Sequence, residues 1–564
     1  MISGQAARLR RRVLAAVAAF AVTGLPHASA VPVVTPEEAW TRQFGTASRD
    51  SASAIAATPA GIYVAGATFG ALPGESRSGR DDAFVRKYGV DGNIVWTHQF
   101  GSRSYDYAEA VGATAAGIYV AGYTNGALHG ESSAGGSDAF VRKYDTNGDV
   151  VWTRQFGSAS HDSALAVAAT PAGIYVAGLT SDDAFVRKYD TNGDVVWTRQ
   201  FGSASHDSAK AVAATPAGIY VAGRTDGALP GQSSAGNSDA FVRKYGADGN
   251  LVWTRQFGSA SPDLALAVAD APAGIYVAGE TLGALPGQSS AGYDDAFVRK
   301  YDTDGNVAWT RQFGGTPQSG VSQDSAKAVA AAPAGIYVAG YTSGVLSGQS
   351  SGGSEDAFVR RYDADGNIVW THQFGGTSYD FAEAVGATST GIYVAGYTAG
   401  GLAGATAGGT EAFVRRYVSY RPDAQISLRA SSGYAGNDIY NSTGASQTKS
   451  AEVRRGNKKT FFVRAHNDGD ERDSFRVDGC RSSNGFKVTY LKGMTGTTAV
   501  TRAVVDGTYK LSKVAAGKST ALRAVIEVTS NATVGSIKTC AISITSANRT
   551  ILKDVVKAKV EARR

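Results

Sequence analysis

The sequence predicts an all-β protein, in which a seven-bladed β-propeller of four-stranded blades is followed by an immunoglobulin-like β-sandwich. Three observations lead to this fold class. A block of the type Trp-Thr-Arg-Gln-Phe-Gly recurs seven times, each unit holds four strand-like segments, and the repetition stops after Tyr420. A fixed period of several tens of residues is the signature of a stacked or radially repeated fold.

The block sets the length and phase of the repeat. Each of the seven tryptophans begins one copy: Trp40, Trp96, Trp152, Trp197, Trp253, Trp309 and Trp370. Successive spacings are 56, 56, 45, 56, 56 and 61 residues, so the third unit is shortened and the sixth lengthened. One unit is therefore a supersecondary element of 56 residues, with one shortened and one lengthened copy.

Each unit contains four strand signals. In the second unit they are residues 106–114, 117–124, 138–145 and 149–157, which are rich in β-branched and aromatic residues and are bounded by Gly, Asn or Asp. None of them has helical spacing, and four short strands per repeat predict a propeller blade.

The turn between the third and fourth strands carries an Asn-Gly or Asp-Gly pair. Such pairs accept positive φ and predict a tight hairpin, as at Asn147-Gly148. Asp145, Asn147 and Asp149 also alternate along this turn, which admits a calcium site as the alternative. No bidentate Glu follows at the required distance, so we favour the hairpin.

The repeat begins with a fourth strand at residues 40–45 and ends with a third strand at residues 411–417. Neither end makes a whole blade alone. We therefore expect the N-terminal strand to pair with residues 411–417 and to complete the seventh blade.

The regions outside the repeat have their own signals. Residues 1–30 combine four arginines, an apolar run from Val13 to Leu25 and small residues near Ala30, which predicts a cleaved signal peptide and a secreted, cell-surface or periplasmic protein. The propeller occupies residues 31–420. Residues 421–450, rich in Ser, Gly and Asn, are a linker or first-strand region, and residues 451–564 alternate as strands of the sandwich.

The two cysteines, Cys480 and Cys540, both lie in the C-terminal part. In an exported protein an even pair predicts a disulfide, which would stabilise by about 4 kcal/mol on the chain-entropy estimate.

Charge divides the chain into two halves. Residues 31–420 carry 26 Lys and Arg against 37 Asp and Glu, a net charge of −11, whereas residues 421–564 carry 25 against 12, a net charge of +13. We favour mutual attraction of the two parts; contact of the basic part with a polyanion such as a cell-wall polymer is the alternative.

The repeat resembles a known bacterial family. The succession of Asp-Ala-Phe-Val-Arg-Lys-Tyr, a Gly-Asn or Gly-Asp turn, Val-Trp-Thr-Arg-Gln-Phe-Gly and Gly-Ile-Tyr-Val-Ala-Gly is similar to the SBBP-type β-propeller repeat over residues 36–418. This resemblance implies an exported or surface propeller and carries no catalytic residues. In the C-terminal part, Asn467-Asp-Gly469 and Asp473-Ser-Phe475 resemble bacterial surface Ig-like modules.

A localised site should lie where the seven copies differ. An Asp shared by all units, from Asp50 to Asp380, is interpreted as turn-capping in preference to a cation ring. The residue three positions after this Asp varies from unit to unit, and we expect it to face the central channel. The residue that follows Val-Ala-Gly in the second strand also varies, and we expect it to lie at the entrance of the channel. The ligand-binding candidates drawn from them are Glu109, Lys210, Lys327, Glu383, Tyr123, Arg224, Glu280, Tyr341 and Tyr397. Neutral variation at a solvated surface is the alternative, and it is slightly favoured.

Three functions are compatible with this pattern. The favoured one is a non-enzymatic exported scaffold that binds a glycan, a protein or a cell-wall polymer through its loop-rich face. The others are a polysaccharide-degrading propeller enzyme using Glu109 and Glu383, and a purely structural surface protein. We expect a monomer with no cofactor, no metal, no nucleic-acid partner and no membrane span.

Overall fold

The computed structural model describes residues 36–564 except 318–319, 321, 333, 403–405, 407 and 438. The predicted signal peptide lies outside the described residues. As predicted, the fold is all-β: strands dominate, and the described part contains a single short helix, Thr501–Val505. No described helix is both long enough and apolar enough to cross a membrane.

Residues 37–418 form seven four-stranded antiparallel sheets, numbered here 1 to 7 in chain order. The first strands are Asp50–Thr58, Asp106–Thr114, Asp162–Thr170, Asp207–Thr215, Asp263–Ala271, Asp324–Ala332 and Asp380–Thr388. The second strands are Gly61–Thr68, Gly117–Thr124, Gly173–Thr180, Gly218–Thr225, Gly274–Thr281, Gly335–Thr342 and Gly391–Thr398. The third strands are Asp82–Tyr88, Asp138–Tyr144, Asp183–Tyr189, Asp239–Tyr245, Asp295–Tyr301, Asp356–Tyr362 and Glu411–Val418. The fourth strands of sheets 1 to 6 are Ile94–Phe100, Val150–Phe156, Val195–Phe201, Leu251–Phe257, Val307–Phe313 and Ile368–Phe374.

The seven sheets surround a common axis. Each first strand contacts the first strand of the next sheet, and that of sheet 7 contacts that of sheet 1. A cavity of about 210 Å³, called here the axial cavity, is lined by the first strands of all seven sheets. Within the described residues no sheet closes on itself, so the ring is held by packing between separate sheets.

The N-terminal strand completes sheet 7. Glu37–Phe44 pairs antiparallel with Glu411–Val418, in a register that sets Thr41 opposite Arg415. This is the pairing that the sequence predicts. Arg415 Nε donates a hydrogen bond to Thr41 Oγ1 at 2.8 Å, so the two ends of the repeat are joined by side chains as well as by the backbone ladder.

At six junctions between described sheets, the tryptophan of the repeated block packs on the hairpin glycine of the next sheet. The Trp40 indole packs on Gly92 in the hairpin of sheet 1, where a Cβ would lie 2.8 Å from the ring. Trp40 Nε1 donates to Val90 O at 3.1 Å, and Arg42 Nε donates to Gly92 O at 2.8 Å. Because Gly92 has φ 79°, glycine satisfies both the turn and the close approach. The hairpin interpretation is supported at Asp145, whose Oδ1 accepts three backbone N–H groups.

The glycine that ends each block lies beside two buried carboxylates. At the first junction, a methyl group on Gly101 would lie 2.9 Å from Asp82 Oδ1 and 2.6 Å from Asp106 Oδ2. Gln99 Nε2 donates to Asp82 at 2.8 Å, and the Ser102 N–H donates to Asp106 at 2.8 Å. The block therefore ends in glycine because any side chain there would displace the carboxylates.

This arrangement recurs around the ring. The corresponding carboxylate pairs are Asp138 and Asp162, Asp183 and Asp207, Asp239 and Asp263, Asp295 and Asp324, and Asp356 and Asp380. The shared first-strand Asp accepts a backbone N–H from the preceding loop in all seven sheets, as the turn-capping interpretation expects.

Residues 422–563 form two further sheets. One contains Pro422–Ser427, Lys458–Asn467, Ser519–Val528 and Phe486–Lys492, and the other contains Thr448–Arg454, Lys553–Arg563, Ile537–Ser546, Asp473–Gly479 and Tyr509–Val514. Buried residues of both sheets form one core. Part of the 421–450 segment thus contributes a buried strand.

The predicted disulfide is present between Cys480 and Cys540, with a Cα–Cα distance of 5.2 Å. Cys540 lies on Ile537–Ser546, and Cys480 directly follows the neighbouring strand Asp473–Gly479. The bond therefore joins adjacent strands of one sheet.

The C-terminal region contacts sheet 7 at the end of the ring where the third strands finish. Arg416 pairs with Glu471, and Arg549 pairs with Glu37. The Ser419 N–H donates to Asp470 Oδ2 at 2.9 Å. In the first pair the arginine belongs to the acidic ring, and in the second it belongs to the basic C-terminal region. The two regions are therefore joined by specific ion pairs as well as by the attraction of their opposite net charges.

Removal of the closing strand tests the packing of the ring. We expect the melting temperature of the chain 46–564 to lie about 10 °C or more below that of the chain 36–564. The reason is that loss of a packed aromatic side chain such as Trp40 or Phe44 costs about 3–5 kcal/mol of unfolding free energy. Differential scanning calorimetry of the two chains measures this difference. Equal melting temperatures would show that sheet 7 does not need this strand.

The junction carboxylates predict a pH dependence of stability. Burial raises the pKa of Asp324 from 3.8 to about 6, and neighbouring Asp295 adds to the effect. Burial also raises the pKa of Asp50, Asp106 and Asp263. Because the folded state holds these protons more tightly than the unfolded state, their stabilisation is complete below about pH 4 and is lost as the pH rises, which for Asp324 occurs up to about pH 6.

We expect Asp324→Asn to reduce the fall in unfolding free energy between pH 4 and pH 7 by about 3 kcal/mol. Urea unfolding at several pH values measures it. Asp145→Asn is the control, since backbone N–H bonds lower the pKa of that exposed hairpin carboxyl. A wild-type profile that rises from pH 4 to pH 7 would contradict the direction.

Candidate functional site

The site lies on the face of the ring called here the mouth. It is formed by the loops between second and third strands and by the loops leading from each fourth strand into the next first strand. The C-terminal region contacts the opposite face, through Arg416 and Ser419 at the end of the third strand of sheet 7 and through Glu37 at the start of the N-terminal strand. The mouth is therefore not covered by it.

A β-bulge in every first strand positions the channel candidates. In each sheet the register shifts at the same place, for example between Ala108 and Ala110 in sheet 2. A bulge leaves one residue without a cross-strand partner and turns its side chain. The seven bulged residues are Ser53, Glu109, Leu165, Lys210, Leu266, Lys327 and Glu383.

The charged members of this series influence one another across the channel. Burial raises the pKa of Glu109, and Lys210 opposes this shift whereas Glu383 reinforces it. Burial raises the pKa of Glu383 as well, with Lys327 opposing. Burial and then Arg224 lower the pKa of Lys210. Burial thus favours the neutral forms of both acids and of the lysine, which suits proton exchange as well as polar binding.

The variable residues that follow Val-Ala-Gly lie at the entrance of the channel, and the charged ones belong to two separate clusters of side chains. Lys327 Nζ lies 3.7 Å from Glu280 and 5.4 Å from the Tyr341 ring centroid, so sheets 5 and 6 form one polar cluster. Arg224 instead pairs with Asp226 of its own sheet at 3.2 Å. The structure therefore brings together only some of the predicted residues.

Aromatic rings occupy the entrance of sheets 2, 6 and 7. Tyr123 stacks on Tyr107 with ring centroids 5.0 Å apart, and Tyr397 stacks on Phe381 at the same distance. The ring centroids of Tyr341 and Phe381 lie 4.4 Å apart. These pairs present flat apolar faces with hydroxyl groups at their edges.

Sheet 1 interrupts this aromatic wall and leaves a cavity of about 400 Å³, called here the mouth pocket. Ala67 stands where the flanking sheets carry Tyr123 and Tyr397, so the missing ring volume becomes space. The pocket is lined by Arg49, Asp50, Ser51, Ala67, Thr68, Phe69, Asp81, Tyr107, Tyr379, Tyr397 and Thr410. Its side walls are thus tyrosines of sheets 2 and 7.

Hydrogen bonds already occupy the acids of the pocket. Tyr107 Oη donates to Asp81, and Thr68 Oγ1 donates to Asp50. Burial and this contact with Asp81 raise the pKa of Tyr107. The guanidinium of Arg49, in contrast, makes no hydrogen bond or ion pair with any residue that the structure describes, and the Arg49 backbone carbonyl accepts the Phe69 N–H.

Of the nine predicted binding residues, only Tyr397 lines the mouth pocket. Lys210 lines the axial cavity together with Ser53, Leu165 and Leu266. The sequence argument missed Arg49, Phe69 and Tyr107. One signal was present, since the first unit has the small residues Ser53 and Ala67 at positions where the other six units carry larger side chains.

Comparison with known proteins leaves the family open. No family model matches the chain. The chain is 29% identical over 169 residues to "Regulatory protein FlaEY" of Caulobacter vibrioides, a match that covers 27% of this chain and 17% of that protein. The chain therefore spans under one fifth of that relative's length.

Solved structures give only distant matches. A family 43 arabinoxylan arabinofuranohydrolase from Bacillus subtilis covers 92% of this chain and 96% of its own, at 10% identity and TM-score 0.25. The apocarotenoid oxygenase of Synechocystis covers 65% and 88%, at 10% identity and TM-score 0.34. A subtype N10 neuraminidase-like protein of A/little yellow-shouldered bat/Guatemala/060/2010 covers 54% of this chain and 93% of its own, at 7% identity and TM-score 0.32. These scores are too low to assign a function.

Proposed function

We propose that this protein is an exported, non-enzymatic binding protein that recognises a glycan at the mouth pocket. In this proposal the ring of seven sheets is a seven-bladed β-propeller of the SBBP-repeat type, and the C-terminal region is an Ig-like module. The signal-peptide pattern in residues 1–30 and the disulfide both suit an exported protein.

The mouth pocket is the observation that carries the proposal. It has the size of a small-ligand site, and it combines tyrosine faces with a few polar groups. Tyrosine rings offer flat apolar surfaces to the C–H face of a sugar, while hydroxyl groups and a guanidinium suit its oxygens. A site on loops carried by a rigid scaffold is the usual arrangement for recognition.

A difference between sheet 1 and the other six sheets favours sheet 1 as the place where a ligand binds. Six sheets carry a larger side chain at the position of Ala67: Tyr123, Leu179, Arg224, Glu280, Tyr341 and Tyr397. Only where that side chain is small do the rings of two neighbouring sheets face each other across a cavity. A ligand would therefore bind once per ring despite the seven similar repeats.

Docking of the C-terminal region on the opposite face fits the same proposal. Its contacts involve Glu37, Arg416 and Ser419, all at the far end of sheet 7 from the pocket. The C-terminal region would then hold the propeller at a surface with the mouth directed outwards.

Filling the pocket tests the proposal. We expect Ala67→Tyr to abolish binding on a glycan array, because the new ring occupies the cavity, while the melting temperature stays within a few degrees. Three other sheets already carry Tyr at this position, so the variant should fold. The matched control is Leu179→Tyr, the same change in sheet 3, which should bind as the wild type does. Unchanged binding by Ala67→Tyr would place the ligand elsewhere.

A glycoside-cleaving enzyme is the second candidate, favoured by Glu109 and Glu383. Both acids are half-buried at the bulges of their first strands, burial raises the pKa of each, and Glu383 adds to the upward shift of the pKa of Glu109. Glycosidases use two carboxyl groups, one of them protonated. The two residues lie in sheets separated only by sheet 1, which carries the mouth pocket.

Reducing-sugar release from polysaccharides tests the second candidate. If the protein is an enzyme, Glu109→Gln or Glu383→Gln should lower turnover by at least about a hundredfold, since each would remove a proton-transferring group. Leu165→Gln, at the same bulge in sheet 3, is the control. We expect no turnover by the wild type, and detection of product that depends on both glutamates would replace the binding proposal.

A further inference from the structure

We propose that the mouth pocket selects an acidic glycan, with a sugar carboxylate held by Arg49 and the sugar ring lying between the tyrosines of sheets 2 and 7. This inference rests on the proposed function and specifies the chemistry of the ligand. Its basis is the distribution of charge around the mouth and the unused hydrogen-bonding capacity of Arg49.

The Lys and Arg residues of the mouth loops are confined to the loops of sheet 1 and the loop that leads into sheet 2, and one of them, Arg49, lines the pocket. The loops between second and third strands contain Lys or Arg only at Arg77 and Arg80, both in sheet 1. The loops that lead into first strands contain them only at Arg49 and Arg103, at the start of sheets 1 and 2. The same loops in sheets 3 to 6 carry acids alone: Asp182, Asp226, Asp294 and Glu355.

This cluster opposes the net charge of its surroundings. The repeat region carries a net charge of −11, yet all four arginines of the mouth loops flank the strands of sheet 1, where the same loops hold the acids Glu75 and Asp81. An anion near the mouth is therefore repelled by most of the ring and attracted to one place on it. Such a local patch steers and selects a charged ligand in an ionic-strength-dependent way.

The arginines are held in place by aromatic rings. The Arg77 guanidinium carbon lies 5.3 Å from the Phe69 ring centroid, and that of Arg49 lies 5.8 Å from the same centroid. Arg80 lies 5.4 Å from the Tyr105 centroid and donates to Tyr105 Oη at 2.8 Å. Stacking and these hydrogen bonds restrict the side chains before any ligand arrives, which lowers the entropic cost of binding.

Arg49 is the residue that can contact the ligand directly. It lines the pocket and, among the described residues, lacks a carboxylate or carbonyl partner, whereas Asp50 and Asp81 beside it already accept hydrogen bonds. A planar guanidinium with free N–H groups matches a carboxylate through two parallel hydrogen bonds.

An aromatic cage for a cationic ligand is the competing interpretation of these rings. Tyrosine and phenylalanine faces attract cations, and the pocket contains four such rings. Here, however, Arg49 and Arg77 already lie near the Phe69 ring, and a further cation would be repelled by both. The tyrosine faces that remain are suited to an uncharged ring with an anionic substituent.

The test compares matched oligosaccharides on the full mature chain. The probes are oligogalacturonate and oligomannuronate, each with free carboxyl groups or with every carboxyl methyl-esterified, and binding is measured by titration calorimetry in 50 mM salt. We expect each acidic form to bind at least about tenfold more tightly than its ester, as a charge-assisted hydrogen bond predicts. Raising the salt to 500 mM should reduce this difference.

Variants locate the effect. Arg49→Gln should bring the affinity for the acidic form to that for the ester, whereas Arg476→Gln, an exposed arginine of the C-terminal region, should change neither. Equal affinity of the wild type for acid and ester, or full selectivity retained by Arg49→Gln, would overturn the inference and leave glycan binding intact. Absence of binding to these probes and to a broad glycan array would refute the proposed function, and the inference with it.

Discussion

The ring depends on the contact between the outer strand of one sheet and the hairpin of the next. Between neighbouring sheets the backbone supplies only a few hydrogen bonds, such as that from the Asp106 N–H to the Asp81 carbonyl, so side chains supply most of this contact. A tryptophan covers the hairpin glycine, and an arginine two residues later donates to that glycine's carbonyl, as at Trp40, Arg42 and Gly92. The contact is possible only if the hairpin lacks a side chain at its tip.

The same junction explains why the repeated block ends in glycine. Two carboxylates from neighbouring sheets are buried beside it, and they are tolerated because backbone N–H groups, glutamine and threonine satisfy much of their hydrogen-bonding capacity. Desolvation nevertheless raises several of their pKa values. The most strongly repeated residues therefore serve the ring, and recognition is left to positions outside the block.

The sequence was sufficient for the repeated features. The strand boundaries, the hairpin at Asn147-Gly148, the pairing of the N-terminal strand with residues 411–417 and the disulfide all follow from local patterns or from simple counting. Each of these features is signalled by residues close together in the chain or by an unpaired end, and such signals survive without knowledge of the tertiary structure.

The bulge and the pocket could not be predicted in the same way. An Ala-x-Ala stretch such as Ala108-Glu109-Ala110 reads as ordinary alternation, and the register shift that turns Glu109 arises from the curvature of the first strand near the axis. The mouth pocket depends on what is missing at Ala67 and on rings from two other sheets. No single segment of the sequence encodes it.

The position of the mouth pocket links binding to closure of the ring. Its walls come from residues 49–107 on one side and from residues 379–410 on the other, so the beginning and the end of the repeat meet there. Sheet 7, which supplies Tyr379 and Tyr397, is completed by the N-terminal strand, and that strand leads within five residues to Arg49. Arg49, which lines the pocket and whose guanidinium has no hydrogen-bond partner among the described residues, thereby lies in the loop that directly follows the strand that closes the ring. A shift of this strand would separate the guanidinium from the tyrosine faces, so the pocket forms only when the ring is complete.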